Sequence, residues 1–107
     1  MNIVTQLHRA SVTDAQRRKY EGLVNTRARK LPRETRALLR LSEAGVLRRV
    51  EIVLDVPRQA TLVAAAEGKW FATCVGQALS RLDAQILSAK QTPKTRARRS
   101  RRPRPPR

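Results

Sequence analysis

The side chains with a capacity for chemistry in this sequence are its cations. The chain has 24 Lys and Arg against 8 Asp and Glu, which gives a formal net charge of +16. Residues 94–107 carry eight of these cations and no acid, and residues 1–93 keep 16 cations against 8 acids. Each phosphate that a Lys or Arg neutralises releases condensed counterions, so this charge balance predicts that the protein binds a nucleic acid.

Four of the cations fall on one side of a predicted helix over residues 14–31, and a fifth, Arg33, follows just after it. Thr13 and Gln16 have the spacing of a capping box at its start, and Pro32 ends it. At about 100° per residue, an apolar stripe follows one face of this helix, and the cations lie opposite or beside it. The stripe consists of Tyr20, Leu23, Val24, Ala28 and Leu31. The predicted phosphate contacts are Arg18, Lys19, Arg29, Lys30 and Arg33.

A second group of candidate RNA contacts lies towards the C-terminus. Its members are Arg81, Lys90, Arg98, Arg99, Arg101 and Arg102. The first two belong to a second predicted helix, and the other four belong to the terminal segment. Residues 93–107 are rich in Arg and Pro and poor in apolar side chains, so we expect a disordered tail. We expect this tail to increase the affinity for RNA without determining where the protein binds.

Catalytic and metal-binding chemistry is not indicated by the sequence. The single histidine is His8 and the single cysteine is Cys74, which we expect to be a small packed side chain. The acidic residues are scattered without a carboxylate pair, and the four glycines form no phosphate-binding loop. We therefore expect no enzymatic activity, no cofactor, no metal and no small-molecule substrate.

Strands and a second helix complete the pattern. Alternating or β-branched residues predict strands over 2–9, 47–56 and 60–66. A continuous apolar stripe predicts a helix over 69–90. Residues 34–45 remain ambiguous, because their apolar side chains fit both a short helix ending at Gly45 and a strand.

Two large side chains fit these patterns less simply. Arg27 falls inside the apolar stripe of the first helix, and we expect its stem to follow the core edge while the guanidinium reaches solvent. Trp70 is the one tryptophan and falls outside the stripe of the second helix. We expect it to pack against a strand or the tail rather than to stack on a base.

Length and hydropathy predict one domain over residues 1–92, followed by the tail over 93–107. About 90 residues suffice for one modest core and not for two. The sequence has no apolar run long enough for a membrane span and no apolar leader segment. We therefore expect a cytoplasmic protein with no membrane partner.

The order strand, helix, three strands, helix resembles that of the ribosome hibernation-promoting factors. This family is also called the ribosome-associated inhibitors or sigma-factor modulation proteins. The similarity covers about residues 3–90. The matching residues are Val12-Thr13-Asp14-Ala15 at the start of the first helix, Tyr20 in its core stripe, Lys30-Leu31 near its end, and Ala66-Glu67-Gly68-Lys69 before the second helix.

The resemblance implies both a fold and a function. The fold is α+β in the order β-α-β-β-β-α, with a four-stranded sheet and two helices packed on one face. The function is that of a short-form hibernation factor, which binds the rRNA of the small ribosomal subunit and blocks the decoding region under stress. The partners implied are therefore the small subunit and its rRNA.

Two other functions fit the charge. One is a general RNA- or DNA-binding protein with a layout like that of double-stranded-RNA-binding domains, which would bind bare duplexes and ribosomes alike. The other is an adaptor whose tail docks on an acidic protein, with binding that survives nuclease treatment.

Overall fold

The computed structural model describes residues 2–59 and 61–101, with side chains for residues 3–59 and 61–88. Its elements are β1 (Asn2–His8), α1 (Asp14–Ala28), β2 (Arg36–Ala44), β3 (Leu47–Asp55), β4 (Leu62–Gly68) and α2 (Phe71–Arg101). The expected order β-α-β-β-β-α is confirmed. Residues 34–45, which fitted a helix or a strand by sequence, contribute β2.

The four strands form one sheet in the order β1-β2-β3-β4. β1 and β2 are parallel and are connected through α1, whereas β2, β3 and β4 are antiparallel to one another. α1 therefore runs back along the sheet, from the end where β1 finishes to the end where β2 begins. This topology decides which loops meet at each end of the molecule.

One face of the sheet carries the core. Alternate residues of β2 and β3 are buried there, with Leu39, Leu41, Val50, Ile52 and Leu54 completely inaccessible. α1 contacts β1 and β2, and α2 contacts β3 and β4. Both helices cover the same face, as expected, because this face presents the larger apolar surface that needs shielding from water.

The start of α1 is fixed by the predicted capping box. The Thr13 hydroxyl oxygen accepts from the Gln16 backbone N–H at 3.1 Å, and the Gln16 side-chain oxygen accepts from the Thr13 backbone N–H at 3.0 Å. Two backbone donors that the helix leaves without partners are thereby satisfied. The helix begins at Asp14, where the sequence predicts it.

Glycines act at two junctions of the sheet. Gly45 has a φ of +63° in the two-residue turn that joins β2 to β3, a backbone conformation that favours glycine. At Gly68, an added Cβ would lie 3.3 Å from the Cys74 sulfur. The end of β4 therefore lies unusually close to the first turn of α2.

The second helix runs further than we expected, to Arg101 rather than to about Lys90. It therefore includes residues 93–101 of the segment assigned to the tail. No side chain is described after Ser88, and residues 102–107 lie outside the described residues altogether. The disorder of the tail and the domain boundary at residue 92 remain predictions.

Leu39→Ala should lower the free energy of unfolding by about 2–5 kcal/mol, because it leaves a cavity in the centre of the core. Leu39 is 0% exposed on a central strand. Leu87→Ala removes the same atoms from a side chain that is 60% exposed on α2, and should change stability little. Equilibrium unfolding in urea compares the two; equal losses would contradict the assigned core.

Candidate functional site

The five cations predicted at α1 all lie on the surface. Arg18 and Lys19 are in the first half of the helix and Arg29 is its C-cap, while Lys30 and Arg33 follow in the connection to β2. Every one of these side chains is exposed. Among the described residues, none of the five takes part in an ion pair. Their charge is available to a partner.

The acidic residues are paired with other arginines. The ion pairs are Arg17 with Asp14 and Glu21, Arg27 with Asp83, Arg40 with Glu51, Arg48 with Glu43, and Arg49 with Glu51 and Glu67. Six of the eight acids are thus engaged, and only Glu34 and Asp55 have no such partner in the part of the chain with described side chains. The charge excess is therefore concentrated on the remaining cations.

Three of the predicted cations line a groove beside α1. The groove consists of two adjoining hollows that share Asn25, with Arg18 in one hollow and Arg29 and Arg33 in the other. The Asn25 side-chain oxygen is buried and has no hydrogen-bond partner within the described residues. We call this surface the α1 groove. It combines guanidinium donors with an amide, groups that suit phosphate and sugar oxygens.

Sequence patterns missed two cations that extend this surface. Arg36 begins β2, and Arg58 lies in the turn from β3 to β4 with a φ of +64°. Both are exposed. Because α1 ends where β2 begins, and β3 ends where β4 begins, these residues lie at the same end of the sheet as Arg29, Lys30 and Arg33. The spacing of residues along the helices does not predict these two cations, because neither lies on a helix.

The second predicted group has a different surrounding. Arg81 is exposed and donates from its guanidinium to the backbone carbonyl of Ala65 in β4. Beside it, the Gln85 side chain accepts from the Val63 N–H at 3.2 Å and donates to the Val63 carbonyl at 2.6 Å. These side chains of α2 satisfy the outer edge of β4, where a further strand would otherwise bind.

Arg81 therefore remains a predicted RNA contact with part of its donor capacity already in use. The other members of the second group lie outside the residues with described side chains. They are Lys90, Arg98, Arg99, Arg101 and Arg102.

Two large side chains have surroundings that differ from those expected from the sequence. The Arg27 guanidinium does not simply reach solvent, because its Nε donates to Asp83 Oδ1 of α2 at 3.2 Å and so joins the two helices. The Trp70 side chain is 67% exposed, so it is not packed under a strand; contact with the tail lies outside the residues whose side chains are described. In both cases the outcome depends on residues that are distant in sequence.

Cys74 is confirmed as a packed side chain. It is fully buried, and its sulfur lies 3.6 Å from the Arg48 carbonyl oxygen, to which the thiol donates. Burial raises the pKa of the Cys74 thiol, and the nearby Arg48 charge opposes that rise. Within the residues whose side chains are described, no three His, Cys, Asp or Glu side chains are grouped to hold a metal ion.

The helices of the described chain include none that is both long and apolar enough to cross a membrane.

Several solved structures are similar to this chain, two of them being informative about its family and fold. No protein-family model matches the chain, and no curated protein does. The N-terminal domain of Protein Y from Thermus thermophilus is 30% identical; the match covers 80% of this chain and 96% of that one, with a TM-score of 0.69. A ribosomal subunit interface protein from Coxiella burnetii is 17% identical, with 85% and 99% coverage and a TM-score of 0.68, and shows the fold alone.

A mixed four-stranded sheet covered on one face by two helices, with exposed cations along the first helix, defines a small basic α+β protein. The identity and coverage of the Thermus match go further than the fold. The chain belongs to the ribosome hibernation-promoting factor family. The resemblance noted in the sequence is confirmed.

Cys74 should react slowly with an aromatic disulfide reagent at mildly alkaline pH in the native protein. Burial restricts access to the sulfur, and the raised pKa lowers the fraction of reactive thiolate at any given pH. Absorbance of the released thiol measures the rate, and the same protein in guanidinium chloride supplies the fully reactive control. Equally fast reaction under both conditions would contradict the buried position.

Proposed function

We propose that this protein binds the ribosome through rRNA of the small subunit and blocks the decoding region in the cytoplasm under stress. The observation that carries the proposal is the set of five exposed cations at α1 that lack acidic partners. Membership of the hibernation-promoting factor family supports a ribosomal partner. One of the two structural neighbours is named a ribosomal subunit interface protein, which agrees with such a partner.

The chemistry of the α1 groove suits structured RNA. Folded rRNA presents phosphates and sugar hydroxyls on its outside, and flexible Arg and Lys side chains bind these without reading bases. Arg18, Arg29 and Arg33 line the groove, and Arg36 and Arg58 extend its charge at one end of the sheet. We assign this surface to phosphate contacts.

The domain and the tail have separate roles in this proposal. Residues 1–92 place the protein on the subunit through the α1 groove. The eight cations of residues 94–107 add affinity through further counterion release, with no preference for sequence. No cofactor, metal or small-molecule substrate is needed for such a role, and inhibition follows from occupying a place that messenger and transfer RNA require.

Purified protein should co-sediment saturably with isolated small subunits at physiological salt, in the presence of excess duplex RNA. Structured rRNA in the subunit offers a shaped site, whereas a duplex offers only charge. Gradient centrifugation with and without the duplex measures the selectivity. If the duplex removes the protein from the subunit, a general nucleic-acid binder is the correct description; if binding survives nuclease digestion of the RNA, a protein adaptor is.

Replacing Arg18, Arg29 and Arg33 together by Gln should weaken this co-sedimentation. The loss of three phosphate contacts should also lower the slope of log affinity against log salt concentration by about two to three. Sedimentation over a series of salt concentrations measures both quantities.

A matched variant with Gln at Arg9, Arg40 and Arg49 removes the same number of charges, all of them outside the α1 groove and its extension. Two of these cations are already paired with Glu51 or Glu67, so their loss should affect binding less. Unfolding in urea checks that both variants are folded. Equal weakening by the two variants would mean that net charge alone attracts the RNA, and would reject the α1 groove as the site.

A further inference from the structure

Trp70 is the one aromatic side chain of this protein that faces solvent. The chain has a single Trp, a single Tyr and a single Phe. Tyr20 and Phe71 are buried in the core, whereas Trp70 is 67% exposed between β4 and α2. An exposed indole has no structural role in the described part of the chain, and its large flat surface is suited to a partner.

The backbone around Trp70 is held on both sides. The Trp70 carbonyl accepts from the Cys74 N–H at 3.0 Å, which ties it to the first turn of α2. The Arg48 guanidinium donates to the Lys69 carbonyl and lies 5.6 Å from the centroid of the Phe71 ring. Neighbours before and after Trp70 are thus fixed by one arginine of β3, and the indole is presented outward from a rigid support.

The surroundings of Trp70 favour an anionic partner with a flat apolar part. Lys69 is exposed and has no ion pair among the described residues. Glu43 and Glu67, at the same end of the sheet, are each paired with an arginine. The available local charge is therefore positive.

The same end of the sheet carries further exposed apolar side chains. Val46 and Leu47, in and after the β2–β3 turn, are 79% and 48% exposed. They lie at this end because Arg48 pairs with Gly68 across β3 and β4. An aromatic face with a cation and aliphatic side chains nearby matches an unpaired nucleotide, whose base stacks while its phosphate takes the cation.

We propose that Trp70 stacks on an unpaired base of the bound RNA, with Lys69 on an adjoining phosphate. This inference rests on the RNA binding proposed above and adds a second contact area. The α1 groove and its extension, Arg36 and Arg58, reach the end of the sheet where β2 begins, and Trp70 lies at the opposite end. The α1 groove binds the phosphates of structured RNA, and the surface around Trp70 selects RNA in which a base is unpaired.

Because Trp70 is the single tryptophan, its fluorescence reports this contact directly in the full-length protein. Titration with a single-stranded oligoadenylate should quench the emission in a saturable way, since stacked bases quench indoles. A perfectly paired RNA duplex of equal length should quench much less, because its bases are stacked on each other. Excitation beyond the absorption of Tyr20 isolates the signal.

Variants at Trp70 test the same contact through affinity. Trp70→Ala should weaken binding of a dye-labelled oligoadenylate about ten-fold, and Trp70→Phe should restore most of the loss by supplying another aromatic face. Leu87→Ala, which truncates another exposed apolar side chain at the surface of α2, should leave the affinity unchanged. Fluorescence anisotropy of the dye measures all four proteins under one salt condition.

The outcomes separate this inference from the proposed function. Emission that RNA leaves unchanged, or equal affinity of Trp70→Ala and the unaltered protein, overturns the stacking contact, and a role of Trp70 in binding another protein would give this result. Ribosome binding through the α1 groove would then still stand. If small subunits do not bind but the oligoadenylate quenches Trp70, the proposed function fails and the stacking contact stands.

Discussion

Leu39, Leu41 and Ile52 form an apolar surface across the two central strands, and this surface has to be shielded from water. Both helices lie on it and leave the opposite face of the sheet uncovered, where a shorter apolar row is partly exposed: Val4, Leu38, Val53 and Val63. The packing of the helices on this apolar surface determines which of their side chains face solvent. A helix that gives one stripe to the core must turn its remaining residues outward, and on α1 and in the connection that follows it the exposed residues include five cations. Packing of the core thereby builds the cationic surface.

Ion pairing concentrates the net positive charge on part of the surface. The acids of the sheet and helices are paired mainly with arginines that have a structural task, such as Arg27 between the helices and Arg17 beside Glu21. Glu21 also accepts from the Thr5 hydroxyl and so ties α1 to β1. The exposed pairs, Arg40 with Glu51 and Arg49 with Glu67, contribute little to stability. Their larger effect is on the electrostatic field, since they neutralise parts of the surface and leave the α1 groove as a positive region.

Side chains of α2 satisfy one edge of the sheet. At β4, Arg81 and Gln85 satisfy backbone groups that a further strand would otherwise pair with. The same residues hold α2 against the sheet, and α2 in turn anchors the segment that presents Trp70. A residue that appears in the sequence as a surface cation can therefore serve packing, while a large aromatic can be left in solvent.

Local patterns in the sequence determined much of this protein. The capping box of Thr13 and Gln16, the stripes of both helices, the alternation of β3 and the excess of cations are properties of neighbouring residues. The tertiary structure alone decided that the ambiguous segment 34–45 contributes a strand, β2, because β2 is paired on both sides. It also decided that Arg27 binds Asp83, that Arg36 and Arg58 join the cations of α1, and that Trp70 faces solvent. These outcomes depend on contacts between residues far apart in the chain, which no local pattern contains.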